Sequence, residues 1–304
     1  MQGRQGLRPV KSGDVVGALD IGGTHVSGAR VHVASASLET RSRASEPLPS
    51  AADRAELLAA ISRVTRSIAR PDVRRLGVAV PGPFDYASGV SEIAHKLEGL
   101  HGVNLRSELY AMSTLPHPAA IHFLNDAEAF LLGEWWAGAA RGHSRAVGIT
   151  LGTGLGSAFS EEGEIVRSGA GVPPHGELYG LRFRDAVVEK TISRAAVLAA
   201  YGTGLVEGID VEQVADRARA GEGAARRVFT DLGTALGQFL TPWLRVFEPS
   251  CLVFGGSIAR SWDLFEDTLQ AELEPIPGLR TVTVAAQLDD APLLGAAFST
   301  VERQ

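Results

Sequence analysis

Four acidic residues stand in settings where a carboxylate can do more than face water. Asp20 lies at the end of an apolar run, Val15 to Ile21, and is followed by Gly22-Gly23-Thr24. Paired glycines let a backbone approach a phosphate closely, and the successive N–H groups of such a turn form an anion nest. Asp20 beside that nest could hold a metal ion, directly or through water. The same residues also read as a plain hairpin turn. They are not a Walker A loop, because no Gly-Lys-Ser/Thr follows. Asn125-Asp126 follows the apolar run Ala120 to Leu124, at the carboxyl end of a strand, where open α/β sheets place ligands. Asn125 with Glu128 three residues later also spells a helix start. Both readings can hold, with Asn125 capping and Asp126 facing the ligand. Glu177 sits in a loop rich in glycine and proline, Gly169 to Gly180, and a carboxylate there can grip hydroxyls or simply be solvated. Glu189 falls in a stretch read as helical and has the same two readings.

Two further glycine clusters could meet phosphate. Leu151-Gly-Thr-Gly-Leu-Gly-Ser157 superficially matches a dinucleotide fingerprint, but that fingerprint must open a helix, and the following residues alternate like a strand up to Glu162-Gly163. A second phosphate-cradling hairpin fits better, with Thr153 offering a hydroxyl. Phe254-Gly255-Gly256-Ser257 follows a strand and is expected to open a helix, whose free N–H groups and dipole favour an anion; a tight turn with Ser257 as N-cap is the plainer alternative. The histidines show no metal-ligand spacing, and no Gly-x-Ser-x-Gly elbow is present.

The elements that must position these residues alternate between strand and helix. Val15 to Ile21 and Val26 to Val33 read as a hairpin, Ala51 to Ile68 as an amphipathic helix, Leu76 to Val80 as a buried strand, and Ala127 to Ala140 as a helix. Ala146 to Leu151 and Ser157 to Ser160 then repeat the first hairpin. Helices are expected over Ala186–Tyr201, Asp210–Ala220, Gly223–Phe247, Ile258–Leu273 and Pro292–Val301, with strands over Cys251–Phe254 and Thr281–Ala285. The class is therefore α/β, with two related halves. Trp135 and Trp136 read as core or interface.

Composition bounds the function. The chain has 304 residues, 45% of them hydrophobic, with 29 basic and 35 acidic side chains and a net charge of −6. Disorder is excluded, and nothing in the charge suggests a nucleic-acid partner. A single cysteine, Cys251, excludes a disulfide framework and any cysteine-rich zinc site. No run is long and apolar enough to span a membrane, and no signal-peptide core follows the basic N-terminus, so a cytoplasmic location is expected.

Taken together and in order, these pieces resemble the ROK family of sugar kinases within the actin-like ATPase superfamily. The matching segments are Leu19-Asp-Ile-Gly-Gly-Thr24, Gly77-Val-Ala-Val-Pro-Gly-Pro83, Asn125-Asp-Ala-Glu128 with Gly133-Glu134, Leu151-Gly-Thr-Gly-Leu-Gly156, Gly176-Glu177, Val188-Glu189 with Ser193, Phe254-Gly-Gly-Ser257 and Leu294-Gly-Ala-Ala297. The resemblance implies an actin-like, ribonuclease H-like fold of two α/β domains around a cleft. Residues 1–14 would be a flexible tail, 15–124 the first domain, completed by a C-terminal helix over 290–304, and 125–289 the second. It implies an ATP- and Mg²⁺-dependent kinase acting on the 6-hydroxyl of glucose or a close analogue, with Asp126 as general base. Asn125, Glu177, Glu189 and Gly82 would meet the sugar. Gly22, Gly23, Thr24, Thr153 and Gly154 would cradle phosphates, Gly255 and Gly256 would lie against the nucleoside, and Asp20 near Mg²⁺. A homodimer is implied as well. Kinases for amino or N-acetylated hexoses, a polyphosphate-using glucokinase and a non-catalytic sugar-binding protein are the alternatives. A sugar-responsive repressor of the same family would carry a DNA-binding domain before the core, and the first core strand begins near Val15.

One departure from the family pattern matters. Family members continue from Gly-Glu to Gly-His and then a cysteine-rich zinc knot; here Gly180 stands at the histidine position and Leu181 to Val187 contains no cysteine. No structural zinc is expected. Tyr179 or His175 is the candidate to fill the space left by the histidine.

Overall fold

The computed structural model describes residues 11, 13–94, 97–202, 208–273 and 276–301, so most of the tail expected over 1–14 lies outside the described residues. It divides into two compact units: residues 1–141 with 289–304, and residues 142–288.

In the first unit, β1 (Val15–Ile21) pairs with β2 (His25–His32) as an antiparallel hairpin, with β3 (Ser37–Leu38) and β4 (Ala44–Pro47) both along the outer side of β2. Helix α1 (Arg54–Ile68) starts with a reciprocal capping box: Asp53 accepts the Glu56 N–H and the Glu56 carboxylate accepts the Asp53 N–H. Its apolar side, Leu57, Ile61, Val64 and Ile68, is buried at helical spacing. β5 (Leu76–Ala79) joins β1 in parallel. After the small hairpin β6 (Phe84–Asp85) and β7 (Val90–Ser91) and helix α2 (Leu105–Met112), β8 (Ile121–Leu124) joins β5 in parallel, giving the order β3-β2-β1-β5-β8. Helix α3 (Asp126–Ala137) is buried over all of Ala127–Glu134, where apolar or small residues surround the two buried carboxylates Glu128 and Glu134.

The second unit repeats this plan. β9 (Arg145–Leu151) and β10 (Leu155–Glu161) form a full-register hairpin edged by β11 (Glu164–Ile165). The short hairpin of β12 (Arg182–Phe183) and β13 (Ala186–Val187) follows, then helices α4 (Arg194–Tyr201), α5 (Val211–Arg219) and α6 (Gly223–Phe247). α6 lays Val228, Leu232, Leu236, Phe239 and Leu240 into the core. β14 (Cys251–Gly255), buried along its whole length, pairs in parallel with β9; after α7 (Glu266–Leu273), β15 (Thr281–Val284) pairs in parallel with β14. The order β11-β10-β9-β14-β15 corresponds strand for strand to that of the first unit.

The chain then returns to the first unit as α8 (Ala291–Phe298). Where α8 crosses α3 and β5 there is room for glycine only. A Cβ at Gly295 would stand 1.7 Å from the Ala129 carbonyl oxygen, and Cβ atoms at Gly133 and Gly77 would run into the carbonyls of Ala291 and Ala296. Trp135 and Trp136 both pack against Phe298, with ring centroids 5.7 and 5.3 Å away. α3 therefore sits in the first unit, whereas the sequence reading began the second domain at 125. The physical reason is this glycine-lined crossing, which ties α3 to its own sheet.

Two expected helices are corrected. Residues 186–193 are not α-helical: Ala186–Val187 pairs with β12, Val188–Lys190 makes one 3-10 turn, and α4 starts only where the Ser193 side chain accepts the Ala196 N–H. Ile258–Leu273 is broken as well, with a 3-10 stretch over Ile258–Leu264 preceding α7. No helix among the described residues is long and apolar enough to cross a membrane.

Candidate active site

In the first unit the chosen residues collect at the carboxyl ends of parallel strands. Asp20 lies near the end of β1, Gly82 follows β5, and Asn125 and Asp126 follow β8. Open α/β sheets leave a ligand-sized crevice at this edge. Asn125 is extended and its Oδ1 accepts the N–H of Ala127 at 2.9 Å and of Glu128 at 3.4 Å, so it does cap α3. Its amide nitrogen donates to the Tyr86 hydroxyl at 3.3 Å, and that hydroxyl donates to the Val80 carbonyl at 3.2 Å. Asp126, the first helical residue, has Oδ1 accepting its neighbour Ala127's N–H at 2.9 Å. A carboxylate in the first turn also benefits from the helix dipole.

Asp20 and Asp126 are electrostatic neighbours. Burial pushes the Asp20 carboxyl from 3.8 up to about 7; the negative charge of Asp126 adds to the rise and Arg43 opposes it. Arg43 in turn pairs with Asp290 and donates to the Asp289 carbonyl at 3.1 Å. Two close carboxylates in a recessed position form an oxygen donor set suited to a hard divalent cation such as Mg²⁺, which protein sites commonly hold through one or two carboxylates. Among the described residues no group of three or more His, Cys, Asp or Glu side chains is placed to hold a metal ion.

The Gly22-Gly23-Thr24 turn follows β1. The Gly22 N–H is spent on the His25 carbonyl at 2.9 Å, so Gly22 shapes the turn, while the Thr24 side chain is exposed and meets His25 Nδ1 at 3.1 Å. Gly82 passes beside Tyr86, whose phenolic oxygen would lie 3.7 Å from a Cβ there.

The second unit presents the corresponding edge. The turn Gly152-Thr153-Gly154 follows β9, with Thr153 exposed, while Gly255 ends β14 and Gly256 follows it. Gly256 has φ +84, and a Cβ on it would strike the Leu151 carbonyl, so only glycine fits. Ser257 makes no side-chain cap, which sets aside the N-cap reading of that motif. Glu189 Oε1 accepts the Leu155 N–H at 2.9 Å, so Glu189 meets the glycine turn directly. The Tyr179 hydroxyl bonds to Glu177; the Glu177 charge pushes the phenol above its ordinary range, with burial, that hydrogen bond and the Glu189 charge adding to it. Glu177, Tyr179 and Glu189 therefore form one group. His175 is exposed and left-handed (φ 58).

The residues that the family pattern would spend on a zinc knot make the β12–β13 hairpin instead. Phe183 packs edge-on against Phe239 at 5.4 Å, Arg184 lies 4.8 Å over the Phe183 ring, and Arg184 donates to Gln238 at 2.9 Å.

Sequence reasoning missed Tyr86 and Arg43. Both act at a distance along the chain, Tyr86 on Asn125 and Arg43 on Asp20, and neither belongs to a local motif.

The ROK family model matches residues 16–302. This chain belongs to the ROK family. A glucokinase from Thermotoga maritima is 28% identical over 255 residues, covering 75% of this chain and 79% of the relative. A beta-glucoside kinase from Listeria monocytogenes is 27% identical, covering 77% of this chain and 81% of its own. The crystal structure of a ROK family glucokinase from Streptomyces griseus, in complex with glucose and AMPPNP, superposes with a TM-score of 0.76 at 23% identity, covering 93% of this chain and 98% of that one. The fold is thus that of the ROK kinases.

Proposed function

We propose that this ROK-family sugar kinase transfers the γ-phosphoryl group of ATP to the 6-hydroxyl of glucose or a close hexose analogue. The observation that carries the reading is Asp126: a carboxylate at the head of a buried helix, at the sheet's carboxyl edge, with Asn125 capping the helix beside it and Asp20 nearby. Phosphoryl transfer asks a protein for positioning, charge neutralisation and one base aimed at the nucleophile. Asp126 takes the proton of the attacking hydroxyl as its oxygen bonds to the γ-phosphorus, and the bond to the β–γ bridging oxygen breaks to release ADP.

Asn125, Gly82, Glu177 and Glu189 are assigned to the sugar. Carboxylates accept from ring hydroxyls and the second N–H of the Asn125 amide can donate to one, which suits a neutral or amino hexose better than an acidic one. Gly23, Thr24, Thr153 and Gly154 are assigned to the phosphates, with Gly22 shaping its turn, and Gly255 and Gly256 to the nucleoside side. Asp20, directly or through water, would hold Mg²⁺, which when bound neutralises charge on the transferring phosphates.

The test is ADP release by the purified protein with ATP, Mg²⁺ and a panel of glucose, mannose, beta-glucosides, amino-hexoses and N-acetylhexosamines. Polyphosphate is assayed separately by detecting the sugar phosphate. Sugar-dependent turnover is expected, fastest on glucose or a close analogue. Silence on every sugar with both donors would contradict the reading.

A further inference from the structure

The Gly152–Gly154 turn is gripped from both ends by one short stretch of chain. On one side the Arg194 N–H donates to the Gly152 carbonyl at 2.8 Å; on the other Glu189 Oε1 accepts the Leu155 N–H at 2.9 Å. Residues 189–194 are themselves fixed. The Ser193 hydroxyl donates to the Glu189 carbonyl at 2.7 Å, and the Val188 N–H closes the base of the β12–β13 hairpin on the Leu181 carbonyl at 2.8 Å. Gly154 is the residue that makes room for the grip. A Cβ at 154 would overlap Glu189 Oε1, the end of a flexible side chain, with no backbone atom in the way.

A carboxylate has two oxygens. In Glu189 one holds the turn, and the other is the one a sugar hydroxyl would meet. We propose that Glu189 is a positioning residue for the Gly152–Gly154 turn as well as a sugar ligand, so that sugar and nucleotide binding are coupled through this one side chain. The inference rests on the functional reading above. Its sign follows from preorganisation. A hydroxyl donating to Glu189 fixes the side chain that holds the turn through the Leu155 N–H, so the turn stays in the shape that receives phosphate and sugar strengthens nucleotide binding. Linkage makes the effect reciprocal by the same factor.

Two variants test this, each altering the site of one ligand and reading the other alone. Calorimetric titration of wild type with the β,γ-imido analogue of ATP and Mg²⁺ should show at least about fivefold tighter binding when glucose saturates. In Glu189→Ala, with no sugar present, the analogue should bind at least about fivefold more weakly than to wild type, because the charge-assisted bond to Leu155 is gone. Glu189→Gln should recover most of that loss, since its amide oxygen still accepts the Leu155 N–H. In Gly154→Ala, with no nucleotide present, glucose should bind at least about tenfold more weakly, because the new methyl group displaces the carboxylate. Melting curves establish that each variant is folded, and if one is not, the other decides. Single-ligand affinities within twofold of wild type in either folded variant would overturn the inference. Absence of glucose binding by wild type would instead contradict glucose as substrate, and the sugar-free arm with Glu189→Ala and Glu189→Gln would still decide the role of Glu189.

Discussion

Gly295→Ala separates two effects of opposite sign. Gly295 lies inside α8, where helix propensity alone predicts that alanine stabilises by about 1 kcal/mol. The crossing with α3 predicts the reverse, because the new Cβ would stand 1.7 Å from the Ala129 carbonyl oxygen and ordinary contact begins at 3.4 Å. That oxygen belongs to a helical backbone and cannot swing aside, so one helix must retreat. Overpacking of this kind costs about 1–3 kcal/mol, and a backbone obstacle puts this site at the upper end. The steric term wins by about 2 kcal/mol, which for a unit of roughly 150 residues, such as the one α8 belongs to, lowers the melting temperature by about 4–8 °C. The same retreat shifts α3, whose first residue is Asp126. Since displacement of about 1 Å can cost a hundredfold in rate, kcat should fall by about tenfold or more. The assay is a melting curve by tryptophan fluorescence alongside kcat. Gly180→Ala serves as control, because nothing lies within 4 Å of its new Cβ. Gly295→Ala melting within 2 °C of wild type with normal turnover would refute the packing argument.

Two other perturbations have definite signs. Asp20 is raised from 3.8 to about 7, so between those pH values the metal-free folded protein holds a proton that the unfolded chain has released. Stability should therefore fall by about 4 kcal/mol as pH rises through that window and level off above it. Asp20→Asn in EDTA should be markedly more stable than wild type to urea at pH 8 and close to it at pH 4; equal stability at pH 8 would contradict this. Tyr86→Phe removes the hydroxyl between Asn125 and Val80, and should raise KM for the sugar several-fold while costing about 1 kcal/mol of stability. An unchanged KM would show that Asn125 needs no such support.

Much of the frame was legible because it is written locally. The hairpin of β1 and β2, the buried strand β5 and the helix α6 announce themselves by alternation, by a short apolar run and by helical periodicity. The Asn125 cap was legible for the same reason, since its partners lie two and three residues away. What the sequence hid depends on partners far along the chain. Val187 and Val188 look helical in sequence, yet residues 186–188 pair back onto Leu181 to Phe183, and Glu189 is turned toward Leu155. Gly133 and Gly295 look like weak points in two helices until the helices are laid across each other. Asn125 and Tyr86 are 39 residues apart, and no spacing rule connects them.

The central claim is that Asp126 takes the proton of the attacking hydroxyl, and Asp126→Asn tests it most directly. Asparagine keeps the shape and the contact to the Ala127 N–H but cannot accept the proton. Steady-state kinetics with the best sugar of the panel should show kcat lower by at least about a hundredfold, with sugar affinity, measured by titration without ATP, within about threefold of wild type. Turnover within a few-fold of wild type would contradict the assignment of Asp126 as the base.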